Sequence, residues 1–268
     1  MPTLDKYPGS RLIKMLLMGD PGAGKTGSLA SLAHAGYNLR IIDLDNKLEV
    51  LINQLRDPKS PYDKEAWKRV RYVTLTEKAN VIGGTMGNPR SFSNWNRIGA
   101  TMNKFEDLGS VFDWTDKDVL VIDSLTAAGT AAFNLAAGQN AGNKNVDNRM
   151  FYFHAQNYLE NLAIVLASDD VKCHVVINSH IHFIGDETDG TLHGYPTTVG
   201  RALSAKYGMY FSNMLLMKSN GNMRRLYTSP TSRVEVKCTA PLRVKSQYDI
   251  TFGLAEFFKD SLGTEGFN

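Results

Sequence analysis

Short apolar runs alternate with longer stretches of mixed polarity along the first two thirds of the chain. The runs are rich in Leu, Ile and Val and end in polar residues, a pattern typical of central strands in a parallel sheet. They lie at Leu12–Met18, Asn38–Leu44, Val70–Leu75, Val119–Asp123 and Cys173–Asn178. Helices are predicted at Thr26–Ala35, near Trp95–Leu108 and over about Arg149–Ser168. This alternation predicts a wound α/β sheet, mostly parallel, with right-handed crossovers.

The pattern changes after Arg201, where short strand-like runs follow one another with turns between them. The runs MYFSNMLLMK, RRLYTS and RVEVKC each predict a strand, and Asn220-Gly221 is typical of a β-hairpin turn. The sequence therefore predicts a C-terminal antiparallel extension of the sheet. We expect one domain over residues 12–258, with an N-terminal tail at 1–11 and a C-terminal tail at 259–268.

The composition fits one globular α/β domain. The chain has 268 residues, of which 43% are hydrophobic and 21% charged, which is enough to bury a full core. Cys173 and Cys238 lie far apart without a C-x-x-C pair, which favours a reducing compartment over a disulfide framework. No signal-peptide pattern is present, and no apolar run approaches the roughly 18 residues of a membrane span. We therefore expect a cytoplasmic protein without a membrane partner.

The charge is unevenly distributed although the formal net charge is only +3. Residues 101–200 carry five Lys/Arg against thirteen Asp/Glu, whereas residues 201–250 carry nine against two. The nine cations are Arg201, Lys206, Lys218, Arg224, Arg225, Arg233, Lys237, Arg243 and Lys245. Such a segment favours either a phosphate backbone or an acidic partner, or it forms a solvated strand surface.

The stretch MGDPGAGKTGSL contains the most specific motif of the chain, G-x-x-x-x-G-K-T, with Gly19, Gly24, Lys25 and Thr26 in its fixed places. A glycine-rich turn directs backbone N–H groups at phosphate oxygens, the lysine reaches the β- and γ-phosphates, and the threonine ligates Mg²⁺. A predicted strand precedes it and a predicted helix follows it. We expect the nucleotide to be bound by Gly19, Asp20, Pro21, Gly22, Ala23, Gly24, Lys25, Thr26 and Gly27.

Carboxylates at two other strand ends are candidates for the metal and for the attacking water. Asp123 ends VLVID, on a strand expected beside the phosphate-loop strand, and either supports the metal or caps the next helix. Asp43 and Asp45 in IIDLDN are spaced to share one face of a strand. Asp45 is the preferred group to orient the water. N-capping of the following helix is the alternative for this pair.

The order of these elements resembles the ATPase core of RecA-type recombinases over about residues 12–250. The stretch VVINSHIHFIGDETDGTLHGYPTTVGRALSAKYGMYFSNMLLM is similar to the part of RecA in which a strand ends in a γ-phosphate sensor. There a mobile DNA-binding loop and a hairpin follow the sensor. SRVEVKCTAPL resembles the later strand whose lysines reach the neighbouring subunit's nucleotide. The compact chain resembles the short RecA-like ATPases of bacteriophages that act in single-strand annealing.

The resemblance implies an ATP- and Mg²⁺-dependent ATPase that binds single-stranded DNA as a homo-oligomer, either a ring or a filament. It makes Asp45 the catalytic acid, where the RecA family has glutamate, and His180 or Ser179 the sensor. Lys237 would be the lysine that acts on the neighbouring subunit, or else an exposed strand lysine. A single-strand-binding protein is a further partner that this family implies. If the chain is phage-encoded, the host cytoplasm is its expected location.

Two loops are the expected DNA-facing segments under this resemblance. NLAAGQNAGNKNVDNRM offers Lys144, Arg149 and many amide donors for phosphates, although its composition also suits any solvated loop. Residues 181–200 offer His182, His193 and Tyr195, and also acidic residues that would repel a backbone. The aromatic run at residues 151–153 stacks on bases in one interpretation and packs in the core in the preferred one.

A second class of function remains open, a P-loop phosphotransferase or NTPase acting on a small substrate without DNA. Such a kinase needs an arginine-rich lid over the phosphates, and the sequence between Asp123 and Cys173 has no Arg-rich helical stretch. This absence favours the ATPase. A nucleotide-gated scaffold with negligible turnover is a third possibility that no residue excludes.

Overall fold

The computed structural model describes residues 12–76, 81–82, 85–86, 93–139, 147, 149–186, 190–221, 223–231 and 233–263. Its helices are α1 (Lys25–His34), α2 (Glu49–Arg56), α3 (Ser93–Asn103), α4 (Leu125–Gln139), α5 (Arg149–Ala167), α6 (Arg201–Tyr207) and α7 (Gly253–Leu262). Its strands are β1 (Lys14–Gly19), β2 (Asn38–Asp43), β3 (Val70–Thr74), β4 (Val81–Ile82), β5 (Thr85–Met86), β6 (Asp118–Asp123), β7 (His174–Ser179), β8 (Ile181–Gly185), β9 (Leu192–Pro196), β10 (Asn213–Asn220), β11 (Met223–Tyr227) and β12 (Gln247–Asp249).

One large sheet organises the described residues, in the strand order β12-β11-β10-β1-β7-β6-β2-β3. The strands from β10 to β3 are mutually parallel, and β11 and β12 are added antiparallel at one edge. The predicted α/β class, with a mostly parallel sheet flanked by helices and a C-terminal antiparallel extension, is therefore confirmed. No helix among the described residues is long and apolar enough to cross a membrane.

Alternating side chains of the central strands build a separate core on each face of the sheet. On β1, Leu16 and Met18 face α3, α4, α5 and α6, whereas Met15 and Leu17 face α1, α2 and α7. All four side chains are fully buried, so β1 is covered on both faces, as its continuous apolar run indicated. The carboxyl ends of β1, β2, β6 and β7 meet at one edge, where the phosphate loop lies.

The sequence predicted that the strand ending in Asp123 lies beside the phosphate-loop strand, and this prediction is wrong. β6, which ends in Asp123, does not lie beside β1, because β7 is inserted between them. Strand order depends on how the connections between strands pack on the sheet, and the apolar pattern of a single strand does not carry this information. Asp123 nevertheless reaches the loop from its position one strand further away.

The antiparallel part also differs in detail from the prediction. The first strand begins at Asn213, because Gly208–Tyr210 forms a short 3₁₀ helix. Asn220 pairs with Met223, so Asn220 is the last strand residue and not a turn residue. Residues 233–238 form no regular strand and pair with their neighbours only through isolated bridges. α7 ends at Leu262 and so crosses the expected domain boundary at residue 258.

Candidate nucleotide-binding site

The phosphate loop joins β1 to α1 and requires glycine at three positions. A Cβ on Gly19 would lie 2.6 Å from the carbonyl oxygen of Met217. Gly24 has φ of 102°, and a Cβ there would also collide with Ile250 Cδ1. Gly22 has φ of 78°, in the left-handed region that favours glycine. The sequence motif is therefore a turn that other residues would deform.

The remaining predicted loop residues complete this turn. Ala23 is buried and its N–H donates to the carbonyl of Asp20, which is exposed together with Pro21. Gly27 lies in the first turn of α1, where a Cβ would approach the Gln54 amide to 2.8 Å. The loop is thus packed against α2 on one side and against the antiparallel strands on the other.

Lys25 is held inside the loop by the backbone. Its Nζ donates to the carbonyl oxygen of Gly19 at 2.7 Å and to that of Asp20 at 3.1 Å. Its side chain is buried, and this burial lowers the pKa of the ammonium, while the charges of Asp123, Asp20 and Asp45 oppose the shift. Phosphate oxygens are stronger acceptors for such a cation than carbonyl oxygens.

The hydroxyl of Thr26 and the carboxylate of Asp123 meet directly. Thr26 Oγ1 donates to Asp123 Oδ2 at 2.7 Å. Burial raises the pKa of Asp123, and the nearby charges of Asp45 and Asp43 raise it further. Contacts with Thr26 and with the Asn178 amide lower this pKa and so oppose the shift. Asn178 is fully buried beside Asp123, and its side-chain amide has no hydrogen bond of good geometry to any described residue. Negative charge is therefore concentrated at this point of the sheet.

Asp43 and Asp45 have different environments. β2 ends at Asp43, so the strand spacing assumed for the pair does not continue to Asp45. Asp43 is buried and accepts hydrogen bonds from the Asn46 N–H at 2.8 Å and from Thr74 Oγ1 at 3.2 Å, so it holds the turn after β2. Asp45 is half-buried and acts electrostatically on Lys25, Asp123 and His180. These surroundings favour Asp45 as the carboxylate that faces the nucleotide.

The two sensor candidates also differ. Ser179 is buried and its Oγ donates to the His180 carbonyl and accepts from the Thr197 N–H, so its hydroxyl is used within the fold. His180 is half-buried, and burial and the charge of Lys25 lower the pKa of its imidazole, while Asp45 opposes this. Its Nδ1 has no hydrogen-bond partner among the described residues. The imidazole also has a hydrogen bond with the Gly19 backbone, so the ring lies directly beside the phosphate loop with its Nδ1 open to a ligand.

Lys237 lies on the other side of β1, away from Asp123. Its backbone pairs with Met214 of β10, three residues before Met217, which is the partner of Gly19. At the rise of a strand this separation is roughly 10 Å. The side chain is exposed, and partial burial lowers its pKa. The register therefore places the Lys237 backbone below the phosphate loop of its own chain.

The basic segment does not form one free surface, because four of its nine cations have partners within the fold. Lys218 Nζ donates to Thr231 Oγ1 at 3.4 Å. Lys206 pairs with Glu160 and Lys245 pairs with Glu256. Arg243 donates to the Ser261 carbonyl in the last turn of α7 at 2.7 Å. The available basic surface is therefore smaller than the sequence suggested.

The two expected DNA-facing segments are only partly described. Residues 140–146 of the first, including Lys144, lie outside the described residues, and Arg149 is the exposed first residue of α5. The second is largely a β-hairpin formed by β8 and β9, with His182 paired opposite Tyr195. Glu187 and Asp189 lie outside the described residues as well.

The preferred core assignment of the aromatic run at residues 151–153 is wrong for two of its three members. Phe151 packs edge-on against Phe133, as expected for a core residue. Tyr152 and Phe153 are 48% and 54% exposed at the start of α5. The helix buries one stripe, and three consecutive residues cannot all lie on it. These two rings form an exposed aromatic patch.

A cavity of about 590 Å³ next to the phosphate loop was not predicted from the sequence. Its lining includes Asn53, Gln54, Tyr62, Ile250 and Thr251, which come from distant parts of the chain. Gln54 contacts Gly27 and Ile250 contacts Gly24, so the cavity adjoins the loop directly. No motif marks these residues, because only folding brings them together.

Comparisons with known proteins place the chain only coarsely. No family model and no curated protein match it. Among solved structures it is similar to the RadB recombinase, with 14% identity, a TM-score of 0.44 and coverage of 80% of this chain and 79% of that one. It is also similar to an ATPase from the type III secretion system of pathogenic bacteria, with 13% identity and a TM-score of 0.42. That match covers 77% of this chain and about half, 51%, of the secretion ATPase.

Proposed function

We propose that the chain is a RecA-like ATPase that binds single-stranded DNA as a homo-oligomer and couples ATP hydrolysis to that binding. The observation that carries the proposal is the direct connection of His180, at the nucleotide edge of the sheet, to the β8–β9 hairpin. His180 precedes β8 and Thr197 follows β9, and the Thr197 N–H donates to the His180 carbonyl at 2.9 Å, which closes the base of the hairpin. A change at His180 is thereby transmitted to the base of the hairpin.

The loop and its surroundings fit ATP with Mg²⁺. Thr26 Oγ1 and Asp123 Oδ2 are hard oxygen donors 2.7 Å apart. Neighbouring ligands of an octahedral Mg²⁺ are separated by about 2.9 Å, so the pair fits the metal directly or through a water. When bound, Mg²⁺ would neutralise charge on the transferred phosphate. Lys25 would bind the β- and γ-phosphates, and Asp45 would orient the attacking water.

The hairpin also connects the site to Lys237. The Gly194 N–H of β9 donates to the Arg233 carbonyl at 2.6 Å, and Gly194 pairs with Val234 in parallel. A Cβ on Gly194 would lie 2.8 Å from Val234, so the hairpin and this segment are in close contact. Lys237 follows three residues later, and its side chain is exposed. This supports a role for Lys237 at the nucleotide of a neighbouring subunit, which would couple hydrolysis to assembly.

Exposed aromatic side chains support a DNA surface on the same part of the molecule. Phe183 of β8 is 44% exposed, and Tyr152 and Phe153 are exposed at the start of α5. Arg149 and Arg201 begin the two helices α5 and α6. Exposed rings stack on the bases of single strands without regard to sequence, and arginines bind the backbone.

Titration of labelled single-stranded DNA with the protein, in ADP and in a non-hydrolysable ATP analogue, tests the proposal. We expect tighter binding with the analogue, a steep loss of affinity with salt and a larger particle in light scattering. Replacing Tyr152 and Phe153 by Ala is expected to weaken DNA binding at least about fivefold, from the 1–3 kcal/mol of each stacked base. Tyr72→Ala removes an equally exposed ring on the edge strand β3 and serves as the control.

A phosphotransferase on a small substrate is the second candidate, and one cavity favours it. A space of about 430 Å³ opens beside Asp45 and His180 and is lined by the hydroxyls of Ser124, Thr126 and Thr130. The Thr126 Oγ1 atom is buried without a partner among the described residues. Equal DNA affinity in both nucleotide states, with a monomer throughout, would favour this candidate over the ATPase.

A further inference from the structure

Arg224 and Arg225 are adjacent on β11 and point to opposite faces of the sheet. Arg224 shares its face with Leu226, which belongs to the core under α1, α2 and α7. Arg225 lies on the other face, where its strand partners are Lys218 and Asp249. One strand thus offers two cations in sequence, and only Arg224 is on the face of the phosphate loop.

The stem of Arg224 lies against the phosphate loop itself. A Cβ built on Gly24 would be 3.3 Å from Arg224 Cδ, and Ile250, which also contacts Gly24, donates its N–H to the Arg224 carbonyl at 3.3 Å. The backbone of Arg224 is thereby fixed beside the loop by β10 and β12. Gly24 itself has φ of 102° and belongs to the glycine-rich turn that is expected to bind phosphate.

The guanidinium of Arg224 has no partner among the described residues. It forms neither an ion pair nor a hydrogen bond there, and the residue is exposed. Arg243, by contrast, binds the Ser261 carbonyl at the end of α7. A fixed stem with an unused planar cation next to a phosphate loop is the arrangement that bidentate phosphate recognition needs.

The position of Arg224 in the sheet indicates which phosphates of a nucleotide its guanidinium would bind. Asp123 ends β6 and His180 directly follows β7, both on one side of β1, whereas β10 and β11 lie on the opposite side. The metal and the γ-phosphate belong with Asp123 and His180. The diphosphate portion nearer the ribose therefore lies on the side of Gly24, Ile250 and Arg224.

We propose that Arg224 is a nucleotide-binding residue that acts within its own chain, with its guanidinium on the α- and β-phosphates of a nucleoside di- or triphosphate. This inference rests on the proposed nucleotide site at Lys25. Because the γ-phosphate is not contacted, ADP and ATP depend on Arg224 equally. Because the contact is within one chain, the dependence is the same in the monomer and in any assembly.

The test measures the dissociation constants of ADP and of a non-hydrolysable ATP analogue by calorimetry, with Mg²⁺, for four variants of the full chain. Arg224→Met keeps an apolar stem against Gly24 and Ile250 and removes the charge, and Arg224→Lys restores a cation without the planar fork. We expect Arg224→Met to weaken both nucleotides by about ten- to hundredfold, as for one charge-assisted contact, with partial recovery in Arg224→Lys. Arg225→Met, on the opposite face, should stay within about twofold.

Two results would overturn the assignment. Unchanged affinity of Arg224→Met for both nucleotides would show that the side chain does not reach them. A loss confined to the ATP analogue, or one that disappears on dilution to the monomer, would place Arg224 at the γ-phosphate or at a neighbouring subunit. Lys25→Ala, measured alongside, separates the two proposals: if it also binds normally, the nucleotide site itself is wrong, and if it alone loses binding, only the role of Arg224 is.

Discussion

Thr26 Oγ1 donates a 2.7 Å hydrogen bond to Asp123 Oδ2, across 97 residues of sequence. The contact joins the first turn of α1 to the end of β6, with β7 lying between β6 and the strand that leads into the loop. The carboxylate is buried beside two other carboxylates, Asp43 and Asp45, and its pKa is raised. The group best placed to support a metal is therefore also an unfavourable charge in the ligand-free chain.

Asp123→Asn should stabilise the ligand-free protein and abolish hydrolysis. The pKa of Asp123 in the folded chain is raised above its ordinary 3.8, so the folded state binds the proton more tightly than the unfolded state. Stability is then lost as the pH rises through the folded pKa, and the amide does not suffer this loss. Thermal melts without nucleotide are expected to show a higher Tm for the variant at pH 8 and a difference that shrinks toward pH 4. A lower Tm at pH 8 would contradict the charge argument.

Lys25→Ala should weaken ATP and ADP binding at least about tenfold, because charge-assisted hydrogen bonds contribute about 1.5–3 kcal/mol each. Among the described residues, the ammonium donates hydrogen bonds only to the carbonyls of Gly19 and Asp20. The fold should therefore survive its removal, and circular dichroism should be unchanged. An unaltered ATP dissociation constant would remove Lys25 from the site.

Asp45→Asn and Asp43→Asn form a matched pair that distinguishes the water-orienting carboxylate from the structural one. Asp45 faces Lys25 and His180, so its neutralisation should lower kcat by about a hundredfold or more while KM stays nearly constant. Asp43 accepts from the Asn46 N–H and from Thr74 and so holds the turn after β2, and its variant should retain most turnover. Steady-state kinetics and urea melts of both variants test the assignment. A large loss of kcat in Asp43→Asn, with normal turnover in Asp45→Asn, would reverse it.

Local patterns were sufficient for the elements but not for their arrangement. Every central strand was predicted, because two-sided burial leaves a continuous apolar run that is visible in the sequence. The strand between β1 and β6 was not predicted, since β7 enters the sheet from a distant part of the chain. Residues 233–238 alternate like a strand, but they pair only at single residues such as Val234 and Lys237, because β11 occupies the edge beside them.

The candidate site divides in the same way. Lys25 and Thr26 were identifiable because a phosphate loop is contiguous in sequence and each of its residues has one chemical task. Arg224 was only one of nine cations in residues 201–250, and its importance depends on a hairpin that folds back over Gly24. The aromatic run was visible in the sequence, but the exposure of Tyr152 and Phe153 was not, since the burial of a helix residue depends on the phase of the buried stripe.

His174 makes folding stability depend on pH below neutrality. Its ring is buried against Tyr37 and Phe258, and Nδ1 accepts the Ile13 N–H at 2.9 Å. Burial lowers the pKa of the imidazole from 6.5 to about 4. Between these values the unfolded chain binds the proton and the folded chain does not, so stability falls as the pH falls from 6.5 toward 4.

The expected loss from His174 is about 3 kcal/mol, from about 1.4 kcal/mol for each pKa unit. Urea melts at pH 7 and pH 4.5 should show most of this loss in the parent chain. His174→Asn retains an acceptor for the Ile13 N–H but cannot titrate, so its melts should depend less on pH by nearly that amount. If both proteins lost the same stability on acidification, the imidazole of His174 would already be protonated in the fold. The acid sensitivity would then come from carboxylates such as Asp63, whose pKa is lowered by hydrogen bonds from the Glu65 N–H and from Arg69.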